Sequence, residues 1–520
     1  MAKKQKKARE LDANGFPKFG IRDKLAYAAG DAACNLSFGL KGTVSTFWLV
    51  YMMMETGWLS LLLLIVQAWD AINDPIIGAI IDSDQRRYKR GKFKTYILIG
   101  AIGLIVGGAA VFLPFPGANM LVKAILFVLG YCIWDAAYTM ANVPYGSMLS
   151  LVTADDSERA QLSMFRSIGG MVGGLVPGIV LPMLIWQKAV DENGEPIVNE
   201  AGKQVEILLG DRVFWAALLM GGVAFLFFRF MLKNITLRVD EYSVKTGEET
   251  KKFNVFKAFG NFLKNRPAVG ATIAAMGMFL GMQAASTANT VMFATYFGQA
   301  SLSGLVMMVG YLPMFLFMPF VKKLVAKFGK KEAATAGTIV SLVGGVLLLV
   351  FPMVPIDIAL FVYMGALVIF GLGMGFYTCV SWAMMSDAID YNEWKFGTRE
   401  EGTVYSLHSF FRKLAQGVGP SAVLVLMGLL GYVESAGTEG QSFATAHNMC
   451  WLVAGLYLFS AVCQFVGIGL IYNLDKKKLA QMNEELAARR GAAPAASVEA
   501  APVAAPALAT DENVNTITIE

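Results

Sequence analysis

The sequence predicts an all-α membrane protein of twelve transmembrane helices in two six-helix bundles. Three observations carry that expectation. The 520 residues are 56% hydrophobic and only 16% charged, with a mean hydropathy of +0.53, which is too apolar for soluble domains of this length. Apolar stretches of about 20 residues, enough to cross the hydrocarbon, recur along the chain. Lys and Arg, 44 in all, gather on alternate sides of those stretches.

Taken in order, residues 1–24 form a basic start that includes Lys3, Lys4, Lys6, Lys7 and Arg9. The segment Glu10 to Pro17 lacks the apolar core of a cleavable signal, so none is expected. Residues 25–233 form the first bundle, with spans at 25–53, 59–82, 96–114, 124–150, 164–187 and 213–232. A polar stretch, 234–267, containing Glu248-Glu-Thr-Lys-Lys252, separates it from the second bundle, 268–474. The spans there are 268–297, 302–321, 335–353, 357–386, 403–432 and 448–473. Residues 475–520 read as a largely disordered tail, Ala/Pro-rich from about Leu479. With both termini cytoplasmic, the outside loops carry only Lys123, Lys188, Lys203 and Arg212 as basic residues, so the chain is expected to be a multi-pass protein of the plasma (inner) membrane. The outside segment Lys188 to Lys203 reads as a small hairpin without chemistry of its own.

The halves echo one another. Tyr138-Thr-Met followed by Met164-Phe-Arg-Ser-Ile-Gly-Gly170 is mirrored by Tyr377-Thr-Cys followed by Phe410-Phe-Arg-Lys-Leu-Ala-Gln-Gly417. The basic loop Arg86 to Lys94 likewise has a counterpart at Lys322 to Lys331. The net charge of +5 reports membrane orientation, with no reason to invoke nucleic acid. The five cysteines fall within spans at unrelated spacings and read as packing residues. Only two histidines are present, and no nucleophile elbow, Walker loop or zinc spacing occurs, so neither an enzyme nor a cofactor is expected.

The polar residues inside the spans carry the functional reading. Asp70, Asn73 and Asp74 stand at i, i+3, i+4 on one face of span 2. A carboxylate at that depth costs at least about 2.5 kcal/mol, so the pair should face a cavity, a partner or an ion. Hard oxygen donors suit Na⁺ or, with one carboxyl protonated, H⁺. A structural pair neutralised by a Lys or Arg is the alternative. Asp31 and Asn35 share a face of span 1, which also holds Lys41; Asp135 with Thr139 and Tyr138 with Asn142 share faces of span 4. Such stripes, with Trp134, Tyr138 and Tyr145 nearby, suit the hydroxyls and the apolar face of a sugar. Arg166 in span 5 and His408, Arg412 and Lys413 in span 11 add positive charge. Arg229 is expected to snorkel to the interface, and His408 to bond between helices. If Lys413 approaches Asp70 and Asp74, the empty pocket holds one net negative charge, which one monovalent cation would balance.

Twelve spans in two related halves with a basic loop in each is the pattern of the major facilitator superfamily. Within it, Trp69-Asp-Ala-Ile-Asn-Asp-Pro75, Gly91-Lys-Phe-Lys94 and Ile389-Asp-Tyr-Asn-Glu-Trp-Lys395 resemble the glycoside–pentoside–hexuronide:cation symporter family, from about Lys24 to Leu474. The resemblance implies a sugar symporter driven by Na⁺, Li⁺ or H⁺, acting as a monomer in the bilayer. It implies cation binding by Asp70, Asn73, Asp74 and Thr139, a coupling role for Lys413, and sugar contacts by Arg166, Trp134 and Tyr138. The chain has Asn35 and Asn142 where the family's melibiose-transporting member has sugar-binding carboxylates, and Gly146 and Thr378 where it has aromatics. Asp31 and Asp135 could supply those acids instead, and a sugar other than melibiose is expected. A lysolipid transporter of the same fold is the alternative cargo reading; a polytopic sensor or membrane enzyme would need a soluble domain that the sequence lacks.

Overall fold

The apolar periodicities become long helices in the structure, a computed structural model that describes residues 11, 15–84, 86–153, 156–198, 202–238, 255–397 and 401–489. The first half contains α1 (Ile21–Gly39), prolonged through Lys41–Thr46 and Phe47–Tyr51, α2 (Thr56–Ser83), α3 (Lys92–Val111) and α4 (Met120–Ser147). It is completed by α5 (Asp156–Leu175), prolonged to Ile185, and α6 (Gly210–Asn234). The second half contains α7 (Arg266–Met292), prolonged to Phe297, α8 (Ser303–Phe328), α9 (Lys330–Leu348), α10 (Ile356–Phe396), α11 (Glu401–Leu429) and α12 (Phe443–Phe465), prolonged to Ile471. Among the described residues nine helices are long and apolar enough to cross a membrane. The stretches expected as spans 1, 8 and 11 are helical as well.

Two departures from the sequence reading concern the polar segments. The stretch 234–267 is not all loop: Val255–Lys264 is helical and buries Phe262 against the second half, while 239–254 lies outside the described residues. The tail also begins as a helix, α13 (Lys476–Arg489). Its Met482 and Leu486, four residues apart, bury one face against the second half, and Glu485 accepts a 2.6 Å hydrogen bond from Trp394 Nε1. Hydrogen bonds from Trp394 and Gln481 hold the Glu485 carboxyl below the usual range. The alanine-rich composition hid this stripe; residues 490–520 lie outside the described residues.

The halves repeat one another in backbone detail. Both α3 and α9 start from a glycine in the left-handed region, Gly91 at φ 90° and Gly329 at φ 105°, each followed by lysine. Both α1 and α7 loosen into a π turn at the far end, Phe47–Tyr51 and Phe293–Phe297.

At the end opposite the described terminal segments the halves close on each other. Ser60 Oγ in α2 donates to the Ser421 carbonyl in α11 at 2.9 Å, and Thr56 N donates to Glu434 Oε1 at 2.7 Å. Gly304 at the start of α8 lies so close to the Gly178 carbonyl beside α5 that a Cβ would collide with it. The expected hairpin is present as β1 (Trp186–Lys188) paired antiparallel with β2 (Glu206–Leu208), and it does more than connect. Glu206 accepts from Ser301 N at 2.7 Å and Ser301 Oγ at 2.8 Å, and Lys203 pairs with Asp357 at 2.8 Å, so this first-half loop straps the second half.

That geometry makes the closed end sensitive to bulk. Gly304→Val should overpack it by about 1–3 kcal/mol and part the seam. A Ser60→Cys reporter should then react with a membrane-impermeant thiol reagent about fivefold faster or more; an unchanged rate would show that the seam does not control access.

Candidate functional site

Helix periodicity places Gln67, Asp70 and Asp74 on the face of α2 that looks into a cavity between the halves. The cavity, about 180 Å³, is lined from the first half by Phe38, Lys41, Gln67, Asp70, Asp74, Trp134, Asp135, Tyr138 and Asn142. The second half supplies Gln283, Lys413 and Gln416.

A charged network fills one wall. Lys413 Nζ reaches across from α11 to Asp74 Oδ2 at 2.6 Å, and Thr139 Oγ1 donates to Asp74 Oδ1 at 2.8 Å. Asn73, buried at the back of α2, donates through Nδ2 to Thr139 Oγ1 (3.0 Å) and Asp135 Oδ2 (3.2 Å), joining α2 to α4. Asp70 Oδ2 accepts from Gln67 Nε2 at 3.0 Å and faces Lys41 Nζ at 3.7 Å. Lys41 sits 5.8 Å from the Tyr131 ring centroid and 5.7 Å from that of Phe38. Asp135 interacts electrostatically with Asp70, Asp74 and Lys41. With all three carboxyls ionised they would exceed the two ammonium groups by one negative charge. Among the described residues no group of three His, Cys, Asp or Glu side chains is arranged to hold a metal ion. A proton or a monovalent cation asks less of its ligands than a divalent metal centre does.

A second cluster lies beside the first. Arg166 Nε meets Asp31 Oδ1 at 2.9 Å, Asn35 Nδ2 donates to Asp31 Oδ2 at 3.1 Å, and the guanidinium stacks over Tyr145 at 5.2 Å. Tyr145 in turn stacks on Tyr27, with ring centroids 4.7 Å apart.

The network therefore joins Asp70, Asn73, Asp74, Thr139 and Lys413, together with Asp135, which the sequence reading had grouped with the sugar. Trp134, Tyr138 and Asn142 line the same cavity. Asp31, Asn35 and Arg166 form their own cluster and do not line it. Thr378 bonds back to the Met374 carbonyl at 2.9 Å inside α10, away from the lining. His408 bonds to Thr272 at 2.9 Å between α11 and α7. Sequence reasoning assigned no role to Phe38, Lys41, Gln67, Gln283 or Gln416. Spacing could have found three of them: Phe38 follows Asn35 by three, Gln67 precedes Asp70 by three, and Gln416 follows Lys413 by three. Gln283 has no such neighbour.

Comparison with known proteins accords with this geometry. The family model for MFS/sugar transport proteins matches residues 26–476. The chain is 28% identical over 475 residues to an uncharacterized symporter of Bacillus subtilis, YjmB, covering 90% of this chain and 96% of that protein. It is 25% identical over 484 residues to a putative sulfoquinovose importer of Escherichia coli, covering 91% and 95% respectively. Among solved structures, the nucleoside transporter NupG superposes with a TM-score of 0.52 at 14% identity, covering 88% of this chain and 100% of that one, a likeness of fold alone. A multi-pass transporter fold, a family match over most of the chain and relatives named as a symporter and a putative importer converge: this protein belongs to the MFS/sugar transport family of major facilitator transporters and is not an enzyme.

Proposed function

We propose that the chain is a cation-coupled sugar symporter of the cytoplasmic membrane that works by alternating access, with both termini in the cytoplasm. The observation that carries this reading is the Lys413–Asp74 ion pair, because it crosses from one half to the other at a cavity that Asp70, Asp74 and Asp135 line. A Na⁺, Li⁺ or H⁺ arriving at Asp74 competes with Lys413 for the same oxygen. Occupation of the cation site therefore changes what holds the halves together, which is what coupling requires. In the cavity, the amides of Gln67, Asn142, Gln283 and Gln416 can pair with sugar hydroxyls, and Trp134, Tyr138 and Phe38 offer ring faces. With the hairpin end sealed, release would be toward the cytoplasm, as in an inward-facing stage of the cycle.

Uptake into proteoliposomes against a sugar panel, with Na⁺, Li⁺ and H⁺ gradients imposed one at a time, tests the reading directly; the absence of gradient-driven uptake of any sugar would refute it. Asp70→Asn and Asp74→Asn should each abolish concentrative uptake while leaving the protein in the membrane. Wild-type accumulation by either variant would remove that residue from the coupling site.

Lys413→Ala should shrink the change in sugar affinity produced by adding cation, since linkage between the two ligands is reciprocal. A residue facing elsewhere would leave that change intact. Asp135→Asn leaves Asn73 with a weaker acceptor, a loss of roughly 1–3 kcal/mol or about tenfold to a hundredfold in binding. Through Asn73 and Asp70 the effect should appear in the cation half-saturation as well as in the sugar's. An effect on the sugar alone would separate Asp135 from the cation cluster.

A further inference from the structure

A second cavity lies far from the transport site, where the start of α3 meets the end of α6. It holds about 330 Å³ and is lined by Arg90, Lys94, Arg229, Leu232 and Lys233. Four cations around one hollow repel one another, yet among the described residues no carboxylate lines it. Among the described residues Arg90, Arg229 and Lys233 make no ion pair. The nearest acid along the chain, Asp84, is engaged by Tyr88 OH at 2.6 Å, Tyr96 OH at 2.8 Å and Arg86 N at 2.9 Å. Lys94 Nζ is steadied by the Ile235 carbonyl at 3.0 Å, which ties the two helix ends together. Below this basic mouth both helices turn apolar side chains outward: Ile99, Ile102 and Val106 on α3, and Leu226 and Phe230 on α6. Arginines that merely snorkel spread toward water; these converge on a concave site with an apolar skirt.

We propose that this cavity binds the phosphodiester headgroup of an anionic phospholipid, its acyl chains lying along the apolar faces of α3 and α6. The charge and the shape each require part of that ligand. A phosphate oxygen cluster supplies the missing counter-charge and accepts hydrogen bonds from two guanidinium groups, while the tails cover the exposed apolar rows. The N-terminus of α3 adds its own positive end to the same mouth.

The test uses the purified full-length protein in mixed micelles, read by thermal unfolding and by native mass spectrometry. Phosphatidylglycerol should raise Tm and remain bound where phosphatidylcholine does not. In an Arg90→Gln/Arg229→Gln variant that preference should fall about tenfold or more, with Tm in phosphatidylcholine unchanged. A charge-matched Lys323→Gln/Lys327→Gln control, in the equivalent region of the other half, should keep it. Equal loss in both variants would reduce the effect to general attraction of basic loops and overturn the proposal. So would stabilisation by inorganic phosphate alone equal to that by the lipid, which would mark a site for a soluble anion, or full retention of lipid preference by the Arg90/Arg229 variant.

Discussion

An acidic cluster shared between two helical bundles is the constraint around which this structure is organised. Asp70, Asp74 and Asp135 cannot all be carried within a membrane without cations close by, and neither half supplies enough of them alone. Lys41 comes from the same half as the acids, but Lys413 comes from the other and must cross the interface to reach Asp74. The packing of α2 against α11 is thereby tied to the electrostatics of the cavity. Asn73 and Thr139 extend the link to α4, so movement of one wall is felt by the other.

Much of the fold was legible because hydrophobic length and charge asymmetry are strong signals in a membrane protein. The acidic face of α2 was legible for a similar reason: polar residues at helical spacing inside an apolar run have little else to mean. What the sequence could not show was distance across the chain. Lys413 stands 339 positions from Asp74, and charge counting and family resemblance could raise their meeting only as a condition. Asp31 and Asp135 looked alike as acids flanking the sugar region, yet one is claimed by Arg166 and the other by Asn73. Helix rotation decides between such fates, and composition does not report it. The helix at the start of the tail was missed because an alanine-rich stretch has two readings until a docking surface for Met482 and Leu486 is known.

The duplication is visible below the level of motifs, in the glycine that opens both α3 and α9 and in the π turns of α1 and α7. The strap formed by β1 and β2 breaks that symmetry. It belongs to the first half but finds partners at Ser301, Asp357 and Thr438 in the second, so one end of the molecule is fastened by a feature that the repeat alone does not provide.

The contact of Gly304 with the Gly178 carbonyl has a consequence for how such an end can open and shut. A seam of long side chains must sort rotamers each time it re-forms and loses conformational entropy in doing so. Where backbone meets backbone there is nothing to sort. That part of the seam can re-form in the same register on every passage, with little entropy surrendered and little friction from side chains that have strayed.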